Sequence, residues 1–299
     1  MPQLHSTNLN LYHIFYAVRR RLSEVTAAYW VDLEVYAAIN KGLLDVASKS
    51  KCLKKKVTVT TVASTQEYDL NDNSFGDIID ISDDGVSFKI NGSTYLPLKF
   101  TTRKELSLKT PGWRSVAAST PQKYYYDKPS KTVGLYPKPN SSNVGAYLDI
   151  FGYYRPRILH AGTAAAGTAT ALTLAAGSAT VQVPSAVDDY YNGLYMEIYD
   201  GTGEGEIAEI TDYVGSTRVC TVNFTTTPDA TSIYGMVPEI PQEAHELLEP
   251  YALWKLLLKG GSRTVLAQQY RDEYYTGLAA FMGNFTENDD EMLIRDSYR

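Results

Sequence analysis

The feature that most limits how this chain can fold is a change in the spacing of its apolar residues. Up to about Lys56 they recur every three or four positions, from there to Pro241 every second position, and afterwards every three or four again. Such a pattern places helices at both ends and strands throughout the middle. In the first helix Leu11, Ile14, Phe15, Val18 and Leu22 mark a buried face, and Arg19, Arg20 and Arg21 fall in the last turn, where positive charge complements the helix dipole. Asp32 is placed to cap a second helix, with Val35, Tyr36, Ile39, Leu43, Val46 and Ala47 as its stripe.

In the middle, Val57, Val59 and Thr61 alternate, and strands are expected at 78–81, 87–90 and 94–98. The tight-turn dipeptides Asp84-Gly85 and Asn91-Gly92 make 78–98 a β-meander. Further strands are expected at 123–126, 133–136 and 147–153. Beyond His160 the chain becomes rich in Ala, Thr and Gly and almost free of charge. There Leu172 and Leu174, with Val181 and Val183, favour a hairpin about Ala175–Ser178 over a flexible linker. Segments 195–199, 206–213 and 219–224 complete a small all-β module.

Near the end, Pro241 suits the first position of a helix, and Ala244, Leu247 and Leu248 begin its apolar face. Pro250 implies a break or kink before Tyr251, Leu253, Trp254, Leu257 and Leu258. Ser262 caps a last helix with Leu266, Tyr270, Tyr274, Leu278 and Phe281 on one face. Neither helix pair can bury its stripe alone. The expected fold is therefore α+β, with N- and C-terminal helix pairs forming one helical bundle and a β-sheet region and a further small all-β module inserted between them. The expected divisions are 1–56 with 237–285 for the bundle, 57–160 for the β-domain, 161–236 for the inserted module and 286–299 for a tail.

Charge is distributed unevenly. Residues 1–56 hold nine Lys/Arg and four Asp/Glu, whereas 161–236 hold nine Asp/Glu and Arg218 alone. An asymmetry of this kind points to regions with different neighbours. The 24 tyrosines, against 8 phenylalanines, suit half-buried strands and wet interfaces. No apolar run reaches the length of about eighteen residues needed to span a membrane. The start MPQLHSTNLNLY lacks the pattern of a secretory leader, so a cytoplasmic site of synthesis and assembly is expected.

The residues for chemistry are sparse. Cys52 and Cys220 are too few for a disulfide framework or a zinc site, and His5, His13, His160 and His245 share no ligand spacing. Gly201-Thr202-Gly203-Glu204-Gly205 lacks the following helix of a phosphate loop and reads as a hairpin loop. The segment from Asp80 reaches Asn91 where a calcium loop needs a bidentate Glu. Carboxylates are plentiful, so a paired-carboxylate hydrolase stays open as an alternative, although no pair is singled out. No catalytic residue, metal or cofactor is expected. Lys54, Lys55 and Lys56 extend the basic start and could contact phosphates without reading sequence.

The N-terminal AVRRRL and DLEVYAAINKGLLDVA, the central YYYDKPSKTVGLYPKPN and YLDIFGYYRPRIL, and the C-terminal EIPQEAHELLEPYALWKLLLKGG resemble the head–tail connector or adaptor (neck) proteins of tailed phages. The resemblance covers about 1–160 and 237–285. It implies a virion structural protein without enzymatic activity: a homo-oligomeric ring, commonly dodecameric, docked below the portal, adjoining tail or nozzle components and lining the DNA passage. With no apolar span and an acidic chain overall, no membrane contact is expected and only non-specific proximity to double-stranded DNA. Adaptors of this kind reach the portal with their C-terminal segment, which makes Met292, Leu293, Ile294 and Tyr298 the candidates here. Arg19, Arg20, Arg21, Lys54, Lys55 and Lys56 are the candidates for facing DNA or portal. The alternative is a carbohydrate- or receptor-binding virion module that reads its ligand with the tyrosine-rich β region, or a cell-wall hydrolase.

Overall fold

The computed structural model describes residues 9–24, 26–70, 78–90, 94–143, 146–178, 180–260 and 263–296, with the backbone alone at 83, 84, 143, 260 and 284–296. Helices α1 (Leu11–Arg21) and α2 (Asp32–Ser50) open the chain. They are followed by β1 (Lys54–Thr60), β2 (Glu67–Asp69), β3 (Ile78–Ile90), β4 (Thr94–Pro97), β5 (Lys99–Phe100), α3 (Arg103–Lys109), β6 (Lys123–Asp127), β7 (Thr132–Tyr136) and β8 (Tyr147–Tyr154). Next come the short strands β9 (Ala161–Thr163), β10 (Ala166–Thr168) and β11 (Ala171–Thr173), then β12 (Tyr195–Asp200), β13 (Ile207–Glu209), β14 (Asp212–Val214), β15 (Val219–Thr221) and β16 (Ile233–Met236). Helices α4 (Leu248–Leu257) and α5 (Thr264–Asp296) close it. The chain divides into two compact units, 51–155 and 1–50 with 156–299.

The 51–155 unit holds two four-stranded sheets, ordered β1-β8-β3-β4 and β2-β7-β6-β5. Their facing side chains form one core, with Val57, Ile78, Val86, Phe88, Leu148 and Ile150 from the first sheet and Tyr68, Tyr124, Val133 and Leu135 from the second. The second sheet is covered on its other face too, where Leu106 of α3 and Trp113 enclose Tyr125. Gly134 is required there: a Cβ would lie 2.0 Å from Cζ of Tyr125. The meander expected over 78–98 is corrected. Asp84-Gly85 lies inside β3 and makes no turn, because both halves of that strand pair with β8 and the irregularity is absorbed as a register shift between Ile81 and Val86. Residues 91–93 lie outside the described residues, and β3 and β4 pair antiparallel on either side of them.

The other unit combines α1, α2, α4 and α5 with sheets ordered β13-β12-β16-β9 and β10-β11-β15-β14. The expectation of one helical bundle carrying inserted β structure is contradicted. The fold is mainly sheet, with four small sheets and five α-helices among the described residues, and it fits the α+β class only loosely. The helices also need the sheet for their burial. Asn10 caps α1 by accepting from the amide of His13 (2.9 Å), while its Nδ2 donates to Glu197 Oε2 on β12 (2.7 Å). Gly235 on β16 lets this cap come close, since a Cβ would stand 2.7 Å from Asn10 Oδ1. Asn40 of α2 exchanges two hydrogen bonds with the backbone of Leu159, the lead-in to β9.

Helix-to-helix contacts are also made. Phe15 of α1 stacks on Tyr36 of α2 at 4.4 Å, and from the connector between them Trp30 Nε1 donates to the carbonyl of Leu256 on α4 (3.0 Å). Tyr274 donates to Asp45 (2.5 Å). Pro250 is accommodated in the first turn of α4, where an amide would have no helical acceptor, and the preceding residues 242–247 form a 3₁₀ helix. Among the described side chains of α5 the buried ones are Ala267, Tyr274, Leu278 and Phe281, while Leu266 is exposed. The hairpin expected about Ala175–Ser178 does not form. The hairpin lies one step earlier, β10 with β11, and Leu174 and Ala175 hydrogen-bond to the carbonyl of Arg218 and the hydroxyl of Tyr234.

Candidate interaction surfaces

Because side chains alternate between the faces of a strand, the register of the first sheet fixes which residues leave its core. Val57, Leu148, Ile150, Val86 and Phe88 point inward. The opposite face is made of cross-strand rows: Lys54 beside Tyr153, Lys56 beside Phe151, Thr58 beside Asp149 and Ser87, then Thr60 beside Tyr147, Lys89 and Tyr95. Tyr95 and Tyr147 are 52% and 41% exposed. Lys89 Nζ lies 4.9 Å from the centre of the Tyr95 ring, and Lys51 and Lys54 approach the Tyr153 ring at 5.1 and 5.7 Å. The Tyr95 hydroxyl holds the Lys89 ammonium above its ordinary pKa, keeping it charged.

One carboxylate sits at the centre of this face. Asp149 is buried, accepts from Thr58 Oγ1 at 2.7 Å and lies 3.5 Å from Lys56 Nζ. The face is thus a set of lysines and half-open rings around a single buried negative charge.

The 161–236 stretch is of opposite character. Exposed Glu204, Glu209 and Asp212 lie within one short segment that leaves the Gly201–Gly205 loop, forms β13 and turns into β14. The loop joins antiparallel β12 and β13, with positive φ at Gly201, Gly203 and Gly205. β13 and β14 are both edge strands, so the acidic segment runs along the rims of two sheets. Burial alone would raise the pKa of Glu206, but hydrogen bonds from the Thr225 and Thr226 amides, both 2.6 Å long, bring it below the ordinary range. Asp229 is held low by the hydroxyl and amide of Thr231 and by Thr202. Among the described residues no carboxylate of 161–236 forms an ion pair with a lysine or arginine.

The three neighbouring arginines of α1 have three different environments. Arg19 does not face solvent. Its side chain is fully buried, donates to the Trp30 carbonyl (2.6 Å) and to Asp32, and packs 5.4 Å from the centre of the Phe15 ring. Arg20 is exposed beside Tyr16. Arg21 pairs with Glu249 at 2.7 Å, and despite the opposing effect of burial that carboxylate raises its pKa. In the other unit Lys54, Lys55 and Lys56 are exposed on β1, the edge strand of its sheet. A run of lysines on an edge also blocks unwanted strand pairing.

Met292, Leu293 and Ile294 lie in α5 where the backbone alone is described, and Tyr298 lies outside the described residues. The backbone of α5 runs 15 residues beyond Phe281, its last described buried side chain, a length of roughly 22 Å at the helical rise. Sequence reasoning did not single out Lys89, Tyr95, Tyr147 or Asp149. The available signal was the period-two series Tyr147, Asp149, Phe151, Tyr153, whose members share one face of a strand.

Among the described residues no three His, Cys, Asp or Glu side chains are grouped to hold a metal ion, and no helix is long and apolar enough to cross a membrane. His160 is buried and neutral: Nε2 donates to the Gln182 carbonyl (2.8 Å), Nδ1 accepts from Tyr234 (2.9 Å), and burial lowers its pKa to about 4.

A protein-family model described as SU10 adaptor protein matches residues 10–209. The matched stretch begins at the cap of α1, takes in the whole 51–155 unit and ends at the last residue of β13. It contains the lysine face and most of the acidic segment, and α4 and α5 lie beyond it. No curated protein is similar enough to the chain to count as a match.

Proposed function

Because the chain belongs to the SU10 adaptor protein family, a family of phage head–tail adaptors, we propose that it forms a homo-oligomeric ring that docks below the portal and lines the DNA passage. The chain is a structural adaptor protein of the phage neck, and its family implies interaction with other capsid and tail components. Such families are typically not enzymatic. The observation that carries the proposal is the match over about two thirds of the chain. Two surfaces of opposite charge, each without a covering element in its own unit among the described residues, support it, since a subunit held between neighbours needs more than one docking face.

In this reading Arg20, exposed on α1, and Lys55, exposed on β1, are the candidate cations for DNA or portal, Lys54 and Lys56 belong to the outer face of the sheet beside Tyr153 and Phe151, and Arg19 is withdrawn from that role by its internal partners. The end of α5, with Met292, Leu293 and Ile294, together with Tyr298 later in the sequence, is the segment that reaches the portal. Electron microscopy of the full chain mixed with its cognate portal tests the proposal. A ring stacked on the portal is the expected image, and absence of binding at micromolar concentrations refutes it. Replacing Met292, Leu293 and Ile294 with aspartate is expected to abolish docking and leave the fold intact.

A further inference from the structure

We infer that the lysine–tyrosine face of the β1-β8-β3-β4 sheet is where a second copy of this chain seats the acidic segment 204–212. The inference rests on the reading of the chain as a ring-forming adaptor and names the surfaces that would join its subunits.

Charge favours this occupant. The 51–155 unit has fifteen Lys/Arg against ten Asp/Glu, whereas the unit of 1–50 with 156–299 has thirteen against twenty-four. The chain thus carries a positive unit and a strongly negative one, and copies aligned positive to negative attract. The acidic segment is shaped for the contact. Glu204 in the Gly201–Gly205 loop and Glu209 and Asp212 on the outer strands of two sheets are exposed and have no lysine or arginine partner among the described ion pairs.

The receiving face offers Lys54, Lys56 and Lys89, with Lys54 over the Tyr153 ring and Lys89 over the Tyr95 ring, beside the rings of Tyr147 and Phe151, and among the described residues nothing in its own unit covers it: the partner sheet packs on the other side. Exposed tyrosine rings supply the apolar area that interfaces concentrate, and lysine heads supply the match to carboxylates. Nucleic acid fits the face less well. Asp149 lies at its centre 3.5 Å from Lys56, where it offsets one cation and repels phosphate, whereas carboxylates on flexible side chains can settle around it onto the outer lysines. Because the two surfaces differ, the contact is head-to-tail, and an open row of copies keeps one free surface of each kind, one at either end, until a ring closes.

The experiment uses two full-length charge-reversal variants, Lys54→Glu/Lys56→Glu/Lys89→Glu and Glu204→Lys/Glu209→Lys/Asp212→Lys. Each is measured alone and with the other by sedimentation velocity at low and high salt, and then on the portal. Circular dichroism verifies that each variant is folded, and the milder Lys54→Gln/Lys56→Gln/Lys89→Gln set serves if the reversal is not. The wild type is expected to self-associate less as salt rises. Either reversal alone is expected to weaken association by about a hundredfold, because like charges then face each other. Mixing the two reversals is expected to restore it, since each then presents the complement of the other. Unchanged association in either folded variant, or no restoration on mixing, overturns the inference. If the lysine variant assembles normally and loses only DNA retention, the face belongs to DNA and the inference fails. If the single reversals fill the portal as the wild type does, the adaptor reading survives and this pairing falls. If the wild type neither self-associates nor binds the portal, both fail.

Discussion

Replacing Arg19 with methionine is expected to destabilise the protein by about 3 kcal/mol, far more than the same change at its neighbour Arg20. The guanidinium is fully buried and gives charge-assisted hydrogen bonds to the Trp30 carbonyl and the Asp32 carboxylate. Bonds to a charged group contribute roughly 1.5–3 kcal/mol each, and removing one member of a buried pair strands the other. Asp32 keeps 27% of its side chain in solvent and can partly rehydrate, so the lower half of that range applies. Methionine fills much of the same volume without a charge, which keeps a cavity out of the comparison. The Trp30 segment carries the effect further, since its indole holds the backbone of α4 at Leu256. For a unit of this size the loss corresponds to roughly 6–12 °C in the melting midpoint. Urea and thermal unfolding followed by circular dichroism measure it. Arg20→Met should stay within about 0.5 kcal/mol of the wild type. If Arg19→Met unfolds like the wild type and instead weakens DNA or portal binding, the buried role assigned to this arginine is wrong.

Three further outcomes follow from other sites. His160 is neutral in the folded protein with its pKa lowered to about 4 by burial, so between the unfolded value of 6.5 and about 4 the unfolded chain binds a proton that the folded chain does not. Stability should therefore fall with pH through that window, by about 2 kcal/mol at pH 5 from this group, and urea melts should show a smaller pH dependence in His160→Gln. Gly235→Ala would place a Cβ 2.7 Å from Asn10 Oδ1 and push α1 off β16. A loss of about 1–3 kcal/mol is expected, reduced when Asn10→Ser is added, and a melt unchanged by the single substitution would refute the close approach. Tyr274→Phe removes the 2.5 Å bond to Asp45 that fastens α5 to α2. It should cost about 1–2 kcal/mol and raise amide exchange over 264–281; equal exchange in both proteins would contradict the role given to the tyrosine.

The environment of Arg19 shows where sequence reading stops. Arg19, Arg20 and Arg21 are identical in composition, yet Arg19 continues the buried stripe, four residues after Phe15 and three before Leu22. Helical spacing alone therefore contained the warning, and treating the three as one basic cluster concealed it. Its partners could not have been read, because Asp32 and the Trp30 carbonyl arrive through a turn whose path depends on α4. The Asp84-Gly85 pair failed for a related reason. A dipeptide's local preference for a turn is worth little against two stretches of one strand both pairing with β8.

The sequence by itself determined the terminal helices and most of the strands between them, because the periods of 3.6 and 2 are set by backbone geometry within a few residues, but it marked neither α3 nor the division of 206–213 into β13 and β14. It also carried the charge asymmetry and the patterns by which the chain resembled its family. Tertiary structure decided what each face meets. Four sheets and a helical set that shares its burial with two of them replaced the expected bundle, since an apolar stripe records that it is buried but not against what. The same long-range pairing covered the second sheet of the 51–155 unit on both sides and the first on one side only. Lys54, Lys56, Lys89, Tyr95 and Tyr147 became a surface because strands distant in sequence came into register, which no local pattern encodes.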